Sequence, residues 1–489
     1  MRNFLCLHGP IAYRETQNDG VILMRTLNSL RYGVLTIAGL WMAACAFGQS
    51  SWTPSESVDG TGKVFADLRK EWATNLREKN VDACVAEYAP DGEFVQPDGT
   101  VVHGAAAIRK LYETITATFD SNLVFDSKQL ETVGDEAADT GTYREVLTTR
   151  ATGKRTLFTG GYKTVYHRNK ESHWLIVKMA WIGTGDAIAL DLDPHPVVAL
   201  TFDDLPAAGP LPPGKTRAEI AETLTSELKA KAMEGTYGFV NGRKLEGNPD
   251  AAKALRIWVD GGMNIGSHTW SHPGLTSEPA FKPLPQEEYI ADVSRNEPVL
   301  QEYAQLRDWK WFRYPFLQEG DTVEKRRAVR KYLFEHGYRI AEVTLDFEDY
   351  AWNDAYARCA AKADAAPAKA IANSIDWLKQ SYLETAREYI DLGREEQIIA
   401  FGHEMPNVML LHATAFTTLM LPDLIDLLRE QGFRFAGLAE VESDPAYAKD
   451  PDAGLKFGGT LPDQFMDSRH LSYPPVAPKP FERLKHLCP

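Results

Sequence analysis

The chain reads as two folded units of different class, an α+β unit followed by an α/β unit of about seven strand–helix repeats. Two changes of texture carry this reading. Between residues 64 and 187, helical segments give way to a run of period-two segments joined by polar turns, which describes helices packed on a meandering antiparallel sheet. From 190 to 440, short apolar runs alternate with amphipathic helices, the pattern of strands laid parallel by crossover helices. With 489 residues, 44% of them hydrophobic and 25% charged, the chain has material for two sizeable cores and does not read as disordered.

The first 48 residues read as a targeting segment. Arg25 and Arg31 precede an uncharged, largely apolar stretch, 32–48, that ends in Ala43, Ala44 and Ala46. A basic flank, an apolar centre and a small-residue exit are the parts of an export signal, and Met24 would open one of ordinary length. A single membrane anchor is the alternative, although the 17 residues of that stretch are at the short limit for spanning. Lipidation at Cys45 is a third reading, since Met42-Ala43-Ala44 looks loosely like a bacterial lipoprotein box. The expected location is the periplasm or the exterior, free or anchored. Five scattered cysteines, Cys6, Cys45, Cys84, Cys359 and Cys488, are expected to form no disulfide framework.

A polar linker, 49–63, leads into the first unit. Phe65, Leu68, Trp72, Leu76, Val81, Cys84 and Val85 share a helical face with a break near Asn80. Phe94-Val95 and Val101-Val102 flank the turn at Pro97-Asp98-Gly99 and predict a hairpin; 105–119 predicts a second helix. Strands are expected at 122–129, 131–139, 142–149, 156–167 and 173–182. Phe94, Tyr112, Tyr143, Phe158, Tyr162 and Trp181 either line a pocket or pack as core, and packing is the simpler reading.

After a connector, 183–196, strands are expected at 196–202, 237–241, 263–267, 310–313, 339–343, 434–438 and once or twice within 398–412. The helices between them fall at 216–234, 249–261, 285–304, 323–336, 368–392 and 414–431. The C-terminal extension, 441–489, is expected to be mostly coil over the surface. A net charge of −15 with no dense Lys/Arg cluster argues against nucleic acid as a partner.

The chemistry gathers at strand ends. Asp203 and Asp204 follow the apolar run Val197 to Leu200, where a buried strand emerges and ligand sites form in α/β folds. Two adjacent acids repel unless a cation joins them or one keeps its proton. His268 and His272, four apart after the strand 263–267, are expected to face one way on a turn of helix and grip one ion. Thr269 stands where zinc helices often carry a general-base Glu, so the base is sought in the spare carboxylate of the acidic pair. Arg313, set among Trp311, Phe312, Tyr314 and Pro315, reads as a buried, fixed cation that keeps a neighbouring Asp ionised.

These segments resemble, in order, the motifs of the polysaccharide deacetylases with a NodB homology domain, carbohydrate esterase family 4. Thr201-Phe202-Asp203-Asp204, His268-x-x-x-His272, Arg313-Tyr314-Pro315, Asp349-Tyr350 and Leu411-His412 carry the match over about 196–438. The resemblance implies a distorted (β/α)7 barrel holding one zinc or another divalent ion. By it Asp203 is the general base, and Asp204, His268 and His272 are the metal ligands. Arg313 orients the base, His412 is the general acid, and Asp349 adjusts protonation nearby. Trp270, Tyr314, Pro315, Phe316, Tyr350, Trp352 and Leu411 are the candidate substrate contacts. Leu205-Pro206 stands where the family has Gly, and the bulk and rigidity of the pair are expected to narrow the groove or re-aim its loop. Tyr350 stands in place of Trp, which leaves Asp346 and Trp352 as alternatives to Asp349. His403 is unassigned. The first unit resembles the NTF2-like, SnoaL-like superfamily, in which a curved sheet wraps helices into a cone that hosts ligand pockets and dimer interfaces.

The resulting expectation is an exported zinc-dependent hydrolase of non-peptide carbon–nitrogen bonds that removes acetyl groups, N-acetyl before O-acetyl, from a carbohydrate. A small acetamide, or another carbon–nitrogen bond in a small molecule, is the alternative substrate. A homodimer through the NTF2-like unit is the partner arrangement this expectation allows, and a ligand- or partner-binding protein using that unit is the rival from another class.

Overall fold

The computed structural model describes residues 61–182, 187–206, 208–277, 283–362 and 368–488; the stretch read as an export signal and Cys45 lie outside them. Among the described residues no helix is long and apolar enough to cross a membrane.

The first unit is an α+β cone. Helices α1 (Thr61–Arg77), α2 (Val81–Ala86) and α3 (Ala105–Thr118) pack on a sheet of β1 (Tyr88–Val95), β2 (Val101–His103), β3 (Phe119–Val133), β4 (Glu136–Thr149), β5 (Arg155–Arg168), β6 (Trp174–Ile182) and β7 (Ile188–Leu190). The order is β2-β1-β6-β5-β4-β3, with β7 beside β5. Two long strands replace the three short ones expected between 122 and 149. Gly141, which reads as a turn, lies within β4 opposite a bulge at Ser127, where a Cβ would meet the Asp126 carbonyl at 2.0 Å. Strand β7 comes from the stretch read as a connector. Phe94, Tyr112, Tyr143 and Tyr162 are buried, and ring pairs such as Tyr143–Trp181, centroids 4.3 Å apart, build the core.

The second unit is an α/β barrel. Its parallel strands are β8 (Val197–Leu205), β9 (Tyr237–Val240), β10 (Asn264–Ser267), β11 (Trp311–Phe312), β12 (Arg339–Ile340), β13 (Asn407–His412) and β14 (Arg434–Phe435). The sheet runs β12-β11-β10-β9-β8-β13, with β14 beside the start of β8. After β12 the chain reaches Leu345, which bridges to Met409 of β13 and brings the open edges together. The result is a distorted barrel. Near-continuous burial along β8 reflects cover on both faces.

Helices α4 (Arg217–Ala230), α5 (Pro249–Asp260), α6 (Gln286–Ala304), α7 (Val323–Glu335), α8 (Ala351–Ala361), α9 (Ala368–Phe401) and α10 (Ala415–Glu430) surround it. Local chemistry sets where many of them start: Thr216 with Glu219 forms a capping box on α4, Asn248 caps α5 ahead of Pro249, and Thr322 and Thr414 cap α7 and α10.

Three expectations change. Residues 398–401 belong to α9, not to a strand, because the helix runs on through Gly393, which lies close against the Thr344 carbonyl, and ends only at Gly402, whose φ is +81°. The C-terminal extension is not a surface cover. Its helix α11 (Leu461–Ser468) buries Leu461, Phe465 and Met466, and α12 (Phe481–His486) precedes a disulfide from Cys488 to Cys359 of α8, whereas no staple was expected. Cys84 is a buried free thiol.

The two units share an interface. Val146, Leu157 and Leu190 of the first sheet pack with Ile398 of α9. Beside them Arg144 of β4, wholly buried, donates to Glu388 at 2.5 Å and Glu395 at 2.9 Å on the same helix.

Candidate active site

The candidate residues converge at the C-terminal ends of adjacent parallel strands. Asp203 and Asp204 lie near the end of β8, Lys244 follows β9, His268 and His272 follow β10, Arg313 follows β11, and His412 ends β13 directly across from Asp203 in register. These side chains, except Arg313 and Lys244, line a cavity of about 600 Å³.

The His268–His272 segment is a loop and not the helical turn expected from its spacing. Thr269 and His272 adopt left-handed backbone with φ of +65° and +60°, and the turn so made sets the two imidazoles with centroids 4.8 Å apart. Asp292 of α6 pins the loop by accepting from the backbone N–H groups of Trp270 and Ser271, both at 2.9 Å. Asp204 is also left-handed, at φ +66°. Left-handed backbone at non-glycine residues is costly and marks a site that the surroundings over-determine.

Asp204, His268 and His272 each offer a ligand atom within 4.8 Å of the others, a possible metal site. The donor chemistry fits. His268 Nδ1 donates to the Arg313 carbonyl at 2.8 Å, which fixes the tautomer and leaves Nε2 with its lone pair toward the acids. Burial, then His272, holds the His268 pKa well below the ordinary value, and burial lowers that of His272, so both rings are neutral donors. Burial works against the Asp204 carboxylate, but Lys244, the foremost opposing charge, holds its pKa well below the usual range. Lys244 Nζ donates to Asp204 Oδ1 at 2.7 Å and to its carbonyl at 3.1 Å. Lys244 was not foreseen: a charge four residues past a strand carries no distinguishing signal.

Asp203 stands apart from that set. It is buried, and Arg313 donates to its Oδ1 at 3.1 Å while also holding Thr201 Oγ1 and the Ala341 carbonyl. Burial outweighs Arg313 and raises Asp203 to about 6, so the arginine limits the rise without cancelling it. His412 is the opposite case. Burial disfavours its charge, yet Asp349, with Oδ1 2.7 Å from Nδ1, raises it to about 9. Asp349 is fully buried and its Oδ2 accepts from the His412 backbone N–H and from Thr417 Oγ1. Asp346 lines the cavity without bonding His412, and Trp352 donates to Ser381 in the core.

Of the candidate substrate contacts, Phe316 and Tyr350 line the cavity, half-exposed, with rings against His272 and His412. Trp270, Tyr314, Pro315, Trp352 and Leu411 are packed in the interior. Leu205 does not narrow the groove: it turns into the core against Gly238 and Trp258. Pro206 borders a smaller cavity with Lys244. His403 is exposed, its ring against the Phe401 carbonyl, and is outside the cavity lining.

Comparison with known proteins follows the two units. Residues 192–341 match the family model for polysaccharide deacetylase, and 70–169 match that for a SnoaL-like domain. A chitin deacetylase of Colletotrichum lindemuthianum is 27% identical over 164 residues, 32% of this chain and 53% of that protein, so the chain spans about half the length of this relative. Among solved structures, a mutant of a CE4-family pseudoenzyme with restored enzymatic activity is 18% identical, with 58% of this chain and 87% of that one covered at a TM-score of 0.33. A ketosteroid isomerase-like protein from Erwinia carotovora atroseptica is 16% identical, covering 26% of this chain and 98% of its own at a TM-score of 0.24.

Proposed function

From a chain that carries a polysaccharide deacetylase domain behind a SnoaL-like one, we propose an exported, metal-dependent deacetylase that hydrolyses an N-acetyl group on a carbohydrate. The observation that carries the proposal is the division of labour at the strand ends. Three neutral or anionic donors face one point, a carboxylate stands free beside them, and a charged imidazole lies across the cavity.

A divalent ion such as zinc, held by Asp204, His268 and His272, supplies Lewis-acid polarisation of an acyl oxygen and acidifies water. Asp203, fixed by Arg313, accepts the proton of the attacking water above pH of about 6, where it is ionised. His412, kept charged by Asp349, delivers a proton to the departing nitrogen, without which an amine is a poor leaving group. Phe316 and Tyr350 offer half-exposed faces for a sugar ring at the two sides of the reacting bond. Export agrees with the Cys359–Cys488 disulfide, a bond that persists in oxidising compartments.

Residues 457–460 of the C-terminal extension wall the cavity, which favours a short substrate and keeps a small-molecule carbon–nitrogen hydrolase as the second reading. Acetate release is to be measured from acetylated chitin, peptidoglycan and xylan fragments and from small acetamides. Release from an N-acetylated sugar is expected, and Asp203→Asn should abolish it with the metal still bound. Turnover by that variant would remove Asp203 as the base, and no release from any substrate would overturn the activity.

A further inference from the structure

The cavity has a second end. Besides the catalytic candidates its wall includes Asp346 and Glu348, Tyr389, Leu392 and Glu396 on α9, and Asp463 and Lys479 of the C-terminal stretch. This end lies outside the residues matched by the deacetylase family model, 192–341.

Helix α9 carries Glu388, Glu395 and Glu396. The first two are bound by Arg144 from the SnoaL-like unit. Glu396 lines the cavity instead, is only 5% exposed, and among the described residues makes no side-chain hydrogen bond or ion pair. Asp463 lies beside it in the cavity wall, its Oδ2 engaged in capping α11 through Thr460 at 2.7 Å. Asp346 gives Oδ1 to the Glu348 N–H at 2.8 Å. Lys479 is the one cation among the residues lining this end, and its ammonium is taken by Glu348 at 2.7 Å.

Asp346, Glu396 and Asp463 therefore form no ion pair of their own; they share the field of Lys479, whose ammonium Glu348 already holds. Burial raises Asp346 to about 6 and pushes Asp463 up and Glu396 well above the carboxylate range. An unpaired buried carboxyl is costly, and a ligand cation removes that cost. A single metal ion does not fit: among the described residues only Asp204, His268 and His272 bring three donor atoms within 4.8 Å of one another. An ammonium, unlike a metal ion, needs only one carboxylate at hydrogen-bond distance, which Glu396 can offer alone, and the cavity of about 600 Å³ has room for two sugar units.

We propose that this end of the cavity binds a protonated amine, so that the substrate is a short amino sugar carrying a free amino group on one unit and the acetamido group on the next. The site stands on Glu396 and its neighbours; only the identity of the adjoining reaction rests on the deacetylase reading.

Chitobiose and cellobiose, disaccharides that differ by amine for hydroxyl and carry no acetyl group to be turned over, serve as probes. Calorimetry on the full chain at about pH 6, where the sugar amine is protonated, should give roughly tenfold to hundredfold tighter binding of chitobiose, the range of a charge-assisted contact. Glu396→Gln should erase the preference. Equal binding of the two sugars by the wild-type protein overturns the proposal without recourse to any variant, and so does a folded Glu396→Gln protein that keeps the preference. Acetate release from mono- and diacetylchitobiose separates the two readings. An amine preference without acetate release removes the deacetylase activity and leaves the amine site. Release from both sugars with equal sugar binding removes the amine site and leaves the activity.

Discussion

Replacing Asp349 by Asn tests the role assigned to His412. Asp349 Oδ2 already accepts from two donors, the His412 backbone N–H at 2.9 Å and Thr417 Oγ1 at 2.5 Å. An Asn must turn its carbonyl oxygen to them and its NH2 to His412 Nδ1. The ring then meets a donor where it met a carboxylate, and its charged form loses both attraction and hydrogen bond. Burial, the largest influence on His412, is then opposed only by the weaker pull of Asp204 and Asp203, and the pKa falls from about 9 toward the ordinary value of about 6.5. A general acid is lost as pH rises through its pKa, so the alkaline limb of kcat/KM moves down by the same interval. At pH 8 about nine-tenths of His412 is charged with a pKa near 9 and only about 3% with one near 6.5, so acetate release falls roughly 30-fold. Near pH 5.5 the two proteins converge. A cation at Asp204 shifts both pKa values alike and leaves the difference. The same linkage appears in stability: a raised histidine stabilises the fold below its unfolded pKa of about 6.5, and that contribution is lost as pH rises through about 9. An alkaline limb unmoved in a folded Asn variant would refute the assignment.

Three further outcomes are expected. Metal analysis of the purified protein should find about one divalent ion per chain, and His268→Ala or His272→Ala should remove it; full occupancy in the double variant would mean that the ion sits elsewhere. Lys244→Met should raise metal affinity, because its ammonium competes for Asp204 Oδ1 at 2.7 Å, and unchanged or weaker affinity in a titration would assign Lys244 to holding the Asp204 loop. Arg144→Met should cost about 3–5 kcal/mol in urea unfolding at pH 8, because Glu388 and Glu395 stay buried without a partner. That cost should shrink toward pH 5, since both acids have raised pKa values, burial being the main cause, with Glu395 at about 7. A pH-independent loss would point to packing.

What the sequence made legible depended on how local the signal was. Strand ends followed by Asp203-Asp204 or by His268 and His272 announce themselves, because a buried apolar run and the residues after it are neighbours in the chain. The conformation after β10 did not: spacing of four suits a helix, and β-branched Thr269 gives no sign of left-handed backbone, although His272 is of a type that adopts it more readily than most. Ile398 to Phe401 reads as a strand by its apolar, β-branched content, yet it continues a helix of 34 residues whose tertiary contacts decide the matter. Cys359 and Cys488 are 129 residues apart, and nothing local says that the tail returns to α8. The same return hides Asp463 and Lys479 from any reading of motifs, because they join the cavity only after the barrel has formed.

Helix α9 lies between the first sheet and the cavity and touches both. The helix turns Tyr389, Leu392 and Glu396 to the cavity, and Glu388, Glu395 and Ile398 to the first sheet. A helix presenting acids in both directions would repel itself within the barrel alone. Arg144 neutralises one side, and Val146 and Leu157 cover the apolar contact next to it. At the cavity the C-terminal stretch closes down so tightly that a Cβ on Gly458 would lie 1.8 Å from the Phe316 carbonyl. Phe316 in turn packs its ring on His272. Brace, helix, tail and metal-site loop thus form one chain of contacts, and loosening Arg144 should be felt in the binding of chitobiose before it is felt at Asp204, because only the amine end of the cavity is built on α9.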